Sequence, residues 1–326
     1  MSILTTVAIP VRNGARVLEQ TLSAVRAQRL GSGAELELLV CDSGSRDGSV
    51  KLARRYGAEV IQIAPGAFGH GATRNLLLER SHGSHVAFLT QDAVPADAAW
   101  LSRLLAGFAL AADIGLVFGS YRPAADASPM VARELTEWFR ALSPAGRPRV
   151  DRLAPAQRSV PARELLGARG FFTDANGCVS RAAWEQVRFR DVAYAEDQFL
   201  AVDMLRGGLA KVYVPDAAVI HSHEYTTLGW LRRSFDEARA LSEIYDWSEP
   251  LHFHTMALNL WGRVGADLRW ARAAGAIQDP SGDLVSLLAH SALHHTARIL
   301  GAVLGARSAR IPPALVERLS LERRRR

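Results

Sequence analysis

The sequence predicts an α/β fold on a mostly parallel central sheet, followed by a helical segment, and three observations carry that prediction. Apolar β-branched runs alternate with stretches of helical spacing through residues 1–225, polar clusters come directly after several of those runs, and residues 226–326 turn wholly helical. Strand–helix alternation implies a parallel sheet covered on both faces, and such sheets bind ligands outside the carboxyl ends of their strands. The division expected is therefore a catalytic or binding domain over 1–225 and a C-terminal extension over 226–326.

In chain order, strands are expected at 5–9, 36–41, 59–63, 86–90, 114–118 and 211–214, with a further strand at 218–220. Segments 17–28, 49–56 and 73–79 space their apolar residues for one helix face, and 196–206 reads as a helix opened by two acids. Residues 143–163, rich in Pro, Ala and Arg with little periodicity, read as a loop-like insert of the kind that covers sites. Helices are expected at 230–247, 253–274 and 284–304, where Trp230, Trp247, Trp261 and Trp270 suggest packing stripes.

Composition narrows the class. With 326 residues and 48% hydrophobic content the chain can bury a substantial core. Cys41 and Cys178 show no metal or disulfide spacing, the N-terminus lacks a basic leader, and no uncharged apolar run reaches the roughly 20 residues of a membrane span. These features point to the reducing cytoplasm. The formal net charge of +6 is concentrated in residues 297–326, where eight arginines face two glutamates. Behind the apolar run 284–304 this tail reads either as a soluble helix with a solvated end, the favoured reading, or as a peripheral contact with anionic lipid at the inner membrane face. Nucleic acid is not expected as a partner, because no aromatic residues interleave the basic ones.

Three polar clusters sit at expected strand ends: Pro10-Val11-Arg12-Asn13, Asp42-Ser43-Gly44-Ser45 and Gln91-Asp92. In the second, small residues permit a tight turn, Ser45 or Asp47 can cap the following helix, and Asp42 is left free to accept from a donor such as a pyrimidine N3–H. The loop Phe68-Gly69-His70-Gly71-Ala72-Thr73-Arg74-Asn75 delivers Arg74 at the start of a helix, where a guanidinium and a helix N-terminus suit an anion; the bland reading is a surface ion pair with Glu79. His70 either approaches a phosphate or sugar hydroxyl or merely closes the loop. Adjacent Glu196 and Asp197 suit either a helix start or acid–base work. His221 and His223, alternate residues after a strand, point the same way and can reach a metal or diphosphate beside Asp92.

Taken together, the Pro-x-x-Asn start, the Asp-Ser-Gly-Ser-x-Asp-Gly-Ser cluster and the carboxylate closing the fourth strand resemble the nucleotide-sugar-binding half of inverting glycosyltransferases of family 2, which have the GT-A fold. The 68–75 loop, Leu89-Thr90-Gln91-Asp92-Ala93 and His221-Ser222-His223-Glu224-Tyr225 are most similar to rhamnosyltransferase-like members. The resemblance implies transfer of L-rhamnose from dTDP-rhamnose to a hydroxyl of a bacterial cell-surface glycan or a lipid-linked saccharide. It also implies a Mg²⁺ or Mn²⁺ ion held by Asp92 with His223, and Asp197 as the base with Glu196 positioning the acceptor or a neighbouring group. Pro10, Arg12, Asn13, Asp42, Ser43, His70, Arg74, Gln91 and Asp92 fall on the donor side, and Asp174 and Asn176 on the sugar or acceptor side.

Two departures stand out: Arg12 occupies a position where many members have Tyr, and the first acid of the usual Asp-x-Asp is absent, leaving Gln91-Asp92. A single carboxylate still suffices for a cation that shares substrate phosphates. The alternatives are a family 2 transferase using a UDP-hexose or another nucleotide sugar, and a catalytically weakened sugar-nucleotide-binding scaffold. A processive synthase is not expected, since membrane spans and a Gln-x-x-Arg-Trp motif are missing. The C-terminal helices are expected to pack either on the catalytic domain or on another subunit, as in a homo-oligomer, with a membrane-facing surface as the sharper alternative.

Overall fold

The computed structural model describes residues 3–31, 33–248, 252–275 and 282–322. It divides into two compact units, one of Met1–Arg122 with Trp138–His221 and one of Pro123–Glu137 with Ser222–Arg326. The division thus falls after His221 rather than after Tyr225, and a segment from the middle of the chain joins the C-terminal unit. Arg323–Arg326, four of the eight arginines of the expected basic tail, lie outside the described residues.

The first unit opens with β1 (Ile3–Val11), α1 (Leu18–Arg26), β2 (Ala34–Asp42), α2 (Ser49–Arg55), β3 (Glu59–Gln62), α3 (His70–Arg80) and β4 (His85–Leu89). It continues through β5 (Val94–Pro95), α4 (Trp100–Phe108) and β6 (Ile114–Arg122); α5 (Pro129–Leu142) follows and is shared between the two units. It closes with β7 (Arg149–Asp151), β8 (Asn176–Ser180), α6 (Arg181–Gln186), α7 (Glu196–Arg206) and β9 (Ala210–Ile220). The sheet order is β3-β2-β1-β4-β8-β6-β9-β5, with β7 also on β9. Strands β3, β2, β1 and β4 are mutually parallel, as are β6 and β9, whereas β8 runs antiparallel between β4 and β6.

The parallel strands were legible because they are buried on both faces. Val7, Ala8, Ile9, Leu39 and Val40 are all fully buried, which removes the polar alternation that a half-exposed strand would show. In α1 the buried residues Leu18, Thr21, Leu22 and Val25 repeat at helical spacing and cover one face of this core.

Strand β9 carries the main difference from expectation. The separate runs at 211–214 and 218–220 are one strand, continuous through Pro215. Proline is tolerated because β6 shifts register between Gly119 and Tyr121 opposite it, and Ser120 Oγ donates to the Pro215 carbonyl at 2.7 Å. The 143–163 segment is not simply a loop: β7 pairs with β9, and Asp151 is locked 2.7 Å from the buried Lys211 ammonium.

The second unit contains the first turns of α5 with α8 (Thr227–Tyr245), α9 (Phe253–Ala273), α10 (Gly282–Gly305) and α11 (Pro313–Leu319). Helices α8 and α10 touch backbone to backbone: a Cβ on Gly301 or Gly305 would stand 2.2 Å from the Leu231 or Phe235 carbonyl oxygen. Trp230 packs edge-on against His294, as an aromatic stripe should, but Trp261 is 68% exposed and does not serve packing within the chain. Among the described residues no helix is long and apolar enough to cross a membrane.

Candidate active site

The parallel register sets the first half of the site. Val11 pairs with Asp42 across β1 and β2, and Ala8 with Phe88 across β1 and β4, so the loops after all three strands emerge at one sheet edge. The loops after β1 and β2 are laced together: Asn13 N–H donates to Ser45 Oγ at 2.8 Å, Gly14 N–H to Ser49 Oγ at 2.9 Å, and Ala15 N–H to Asp47 at 2.9 Å. Asn13 returns the contact by accepting from the Arg46 N–H at 2.9 Å. Asn13 itself takes a left-handed backbone (φ 49°), which short polar residues tolerate.

This lacing reassigns two expected donor residues. Asp42 is buried, and its carboxylate accepts from the Gly44 and Ser45 N–H groups at 3.1 Å, closing its own turn. It is therefore not the free acceptor expected from sequence. Gln91 accepts from the Arg12 N–H at 3.0 Å, and a Cβ on Gly14 would meet its Oε1 at 2.6 Å, so Gln91 braces the β1 loop. Ser43 is buried beneath, its N–H donating to the Val11 carbonyl at 3.0 Å, while Pro10 is half-buried and Arg12 exposed.

Asp92 reaches its neighbour through a pairing too short to read from sequence. Val94 of β5 pairs with Ile220 at the end of β9, which brings the preceding Asp92 beside His221. Asp92 Oδ1 lies 3.6 Å from His221 Nδ1, with Asp92 28% and His221 9% exposed. One carboxylate oxygen and one imidazole nitrogen at this distance fit a divalent cation of the Mn²⁺ type. His223 falls in the second unit, two positions along the chain from His221.

The second half of the site is a buried acid cluster gathered from three distant segments. Arg74 on α3 is only 4% exposed; its Nη2 donates to Asp174 at 2.6 Å and its Nη1 lies 2.8 Å from Glu196. The expected surface pair with Glu79 does not form, because Glu79 takes Arg188 at 2.9 Å. His70, one turn before Arg74, stands 3.8 Å from Glu196 through Nδ1. Gly71 lets α3 come this close: a Cβ there would meet the Arg190 carbonyl oxygen at 1.9 Å. Ala195 precedes the acid pair in a left-handed conformation (φ 61°), costly for a residue with a Cβ and of the kind concentrated at functional sites.

Three carboxylates thus face one guanidinium. Desolvation and the neighbouring Glu196 push the Asp197 carboxyl up to about 7, against the pull of Arg74 and of the Gln198 and Asp174 backbone. Asp174 is raised well above the usual carboxylate range by burial, Arg74 pulling down and the two other acids pushing up. Arg74 pays for burial with charge stability but gains more from Asp174 and Glu196, so it remains a cation. Asp197 is the partly exposed member, its Oδ1 accepting from the Gln198 N–H at 2.8 Å. A carboxylate that takes up and releases a proton near neutrality is equipped for general base work.

Asn176 does not belong to this surface, contrary to expectation. It is fully buried, donates to the Ser120 and Ala217 carbonyls at 2.9 and 2.8 Å, and accepts from the Trp100 indole N–H at 2.7 Å. Its amide is consumed in tying β8 to the bulged β6 and to β9, so no substrate contact is left to it. Ser45 and Asp47, which with Ser49 fix the donor-side loops, were visible in sequence only as helix-cap candidates.

Residues 6–148 match the family described as glycosyl transferase family 2. The chain is 29% identical over 236 residues to the O-antigen chain rhamnosyltransferase RfbN of Salmonella typhimurium, covering 71% of this chain and 70% of that protein. It is 28% identical over 204 residues to the O-antigen chain rhamnosyltransferase WbaN of Salmonella anatum, covering 61% of each. Among solved structures, the mannosyltransferase PcManGT of Pyrobaculum calidifontis, in complex with GDP-Man and Mn²⁺, superimposes with a TM-score of 0.58 at 20% identity, covering 94% of this chain and 86% of that one. Residues 1–349 of S. aureus TarS, in complex with UDP-GlcNAc, give 0.51 at 14% identity over 95% and 92% of the two chains. Both share the GT-A fold.

Proposed function

We propose that this chain, whose residues 6–148 match glycosyl transferase family 2, is a glycosyltransferase that moves L-rhamnose from dTDP-rhamnose to a saccharide hydroxyl with inversion. The observation that carries the reading is the Arg74–Asp174–Glu196–Asp197 cluster, which holds one carboxyl, that of Asp197, poised near neutral pH. The likeness to two rhamnosyltransferases supports the choice of donor sugar, and a glycan or lipid-linked saccharide is the acceptor class that goes with it.

In this reading the loops carrying Arg12, Asn13 and Ser43 frame the nucleoside, with Asp42 and Gln91 holding their shape. Asp92 and His221 would hold the divalent cation, and the resemblance gives His223 a part in the same task. When bound, the cation offsets charge on the diphosphate leaving group. Asp197 accepts the proton of the acceptor hydroxyl as its oxygen bonds to the anomeric carbon. The bond from that carbon to the diphosphate oxygen breaks on the opposite face, which inverts the configuration. Burial and the neighbouring Glu196 keep the proton affinity of Asp197 high, Arg74 holds Glu196 and Asp174 in place beside it, and His70 sits at the rim where sugar hydroxyls arrive.

The test is donor selection by the purified full chain with Mn²⁺ or Mg²⁺. dTDP-rhamnose, dTDP-glucose, UDP-glucose, UDP-GlcNAc and GDP-mannose are compared for calorimetric binding and for nucleoside diphosphate release. The proposal expects dTDP-rhamnose to bind and turn over at least about ten-fold better than the rest, a gap of about 1.4 kcal/mol. Preference for a UDP- or GDP-sugar overturns the donor assignment, and binding without release for every sugar overturns the catalytic one.

A further inference from the structure

The second unit holds a polar cluster that sugar transfer does not use. Glu134 on α5, Asp267 on α9, and Ser291, His294, His295 and Arg298 on α10 converge within it, with His295 and Asp267 completely buried and His294 nearly so. His295 Nε2 lies 2.7 Å from Asp267 Oδ2. A carboxylate only accepts, so this contact places a ring proton on Nε2, and in the neutral imidazole Nδ1 then carries the lone pair. That Nδ1 has no hydrogen-bond partner, although it is buried, and it faces Glu134 Oε1 at 3.7 Å. His294 Nε2 lies 3.3 Å from the other oxygen of Glu134. A tetrahedral ion with bonds of about 2.0–2.1 Å holds its ligand atoms ~3.3 Å apart, close to both spacings.

We infer that Glu134, His294 and His295 form a second metal site, selective for Zn²⁺ or a similar borderline cation, distinct in residues and chemistry from the site at Asp92. Two imidazole nitrogens and one carboxylate favour Zn²⁺ over Mg²⁺. Asp267 supplies the outer support such sites use, fixing the His295 tautomer, and is itself fixed by Arg133 Nε at 2.5 Å and Ser291 Oγ at 2.6 Å. A bound ion would cross-link α5 to α10, with water completing the fourth position. Arg298 competes for the same carboxylate: its guanidinium is on Glu134 Oε2 and lies over the Trp230 ring, 5.6 Å from the centroid. Arg298 is 27% exposed and Arg263, 3.7 Å from Glu134, is 49% exposed, so both can turn outward when the cation enters.

The test uses the full chain, stripped with chelator, in an Asp92→Asn background so that the donor site does not contribute. Zn²⁺ alone is titrated by calorimetry and counted by metal analysis after dialysis, and Co²⁺ replaces it as a spectroscopic probe. One equivalent of Zn²⁺ and the visible d–d bands of tetrahedral Co²⁺ are expected. Affinity should fall at least ten-fold in His294→Ala and His295→Ala, and rise in Arg298→Ala, which removes the competing cation. Absence of zinc binding overturns the site, as does binding undiminished by either histidine change. Should the histidine variants fail to fold, Arg298→Ala decides: a folded Arg298→Ala chain with unchanged or weaker zinc affinity shows the cluster to be an ion-pair network only.

Discussion

Asp197→Asn should inactivate the protein and stabilise it at the same time. The folded-state carboxyl is pushed up to about 7 from an ordinary 3.8. The folded protein therefore binds more protons than the unfolded chain between about pH 4 and pH 7, and wild-type stability falls as pH rises through that window. At about 1.4 kcal/mol per pH unit, the gap corresponds to about 4 kcal/mol of destabilisation once Asp197 is ionised. Asparagine keeps the shape and the carbonyl that accepts from the Gln198 N–H but has no charge to bury. Urea unfolding from pH 4 to pH 8 should then show wild type and variant nearly equal at the acid end, with the variant ahead by up to about 4 kcal/mol at pH 8. Transfer should drop by about 10²–10⁴-fold, the usual worth of a general base. A variant that is less stable than wild type at pH 8, or that transfers sugar at the parent rate, would refute the reasoning.

Three further outcomes follow from buried polar contacts. Asp151→Ala leaves the Lys211 ammonium buried without its carboxylate and should cost about 3–5 kcal/mol in denaturant unfolding, most of it recovered when Lys211→Met is added. Asn176→Ala strips two buried carbonyls and an indole N–H of their partners, for a loss of about 3 kcal/mol or more in unfolding free energy, with KM for the donor unchanged in the folded fraction. His221→Ala should weaken Mn²⁺ binding measured with dTDP present by about ten-fold or more.

The sequence made the β1, β2, β4 half of the sheet plain because doubly buried parallel strands read as unbroken apolar runs. The acid pair was legible for a different reason: Glu196 and Asp197 open a helix at a motif that resembles a family pattern. What the sequence hid was tertiary. Arg74 and Asp174 stand 100 positions apart, and nothing local distinguishes an arginine that will bury itself among carboxylates from one that will lie on the surface. Asp174 and Asn176 looked equivalent as polar neighbours in one segment, yet one joins the cluster and the other disappears into the sheet, because the amide meets the bulge of β6. The two-residue β5 that delivers Asp92 to His221 is too short to leave any periodic signal. Helices α4 and α5 escaped notice between the strands, and with α5 went the membership of Glu134 in the second unit.

The most direct test of the central claim is the stereochemical course of transfer, read by NMR as the anomeric configuration of the first-formed product. A single displacement with Asp197 as the base predicts a linkage opposite in configuration to the donor. A product of retained configuration would contradict the account, since a single in-line displacement cannot give it.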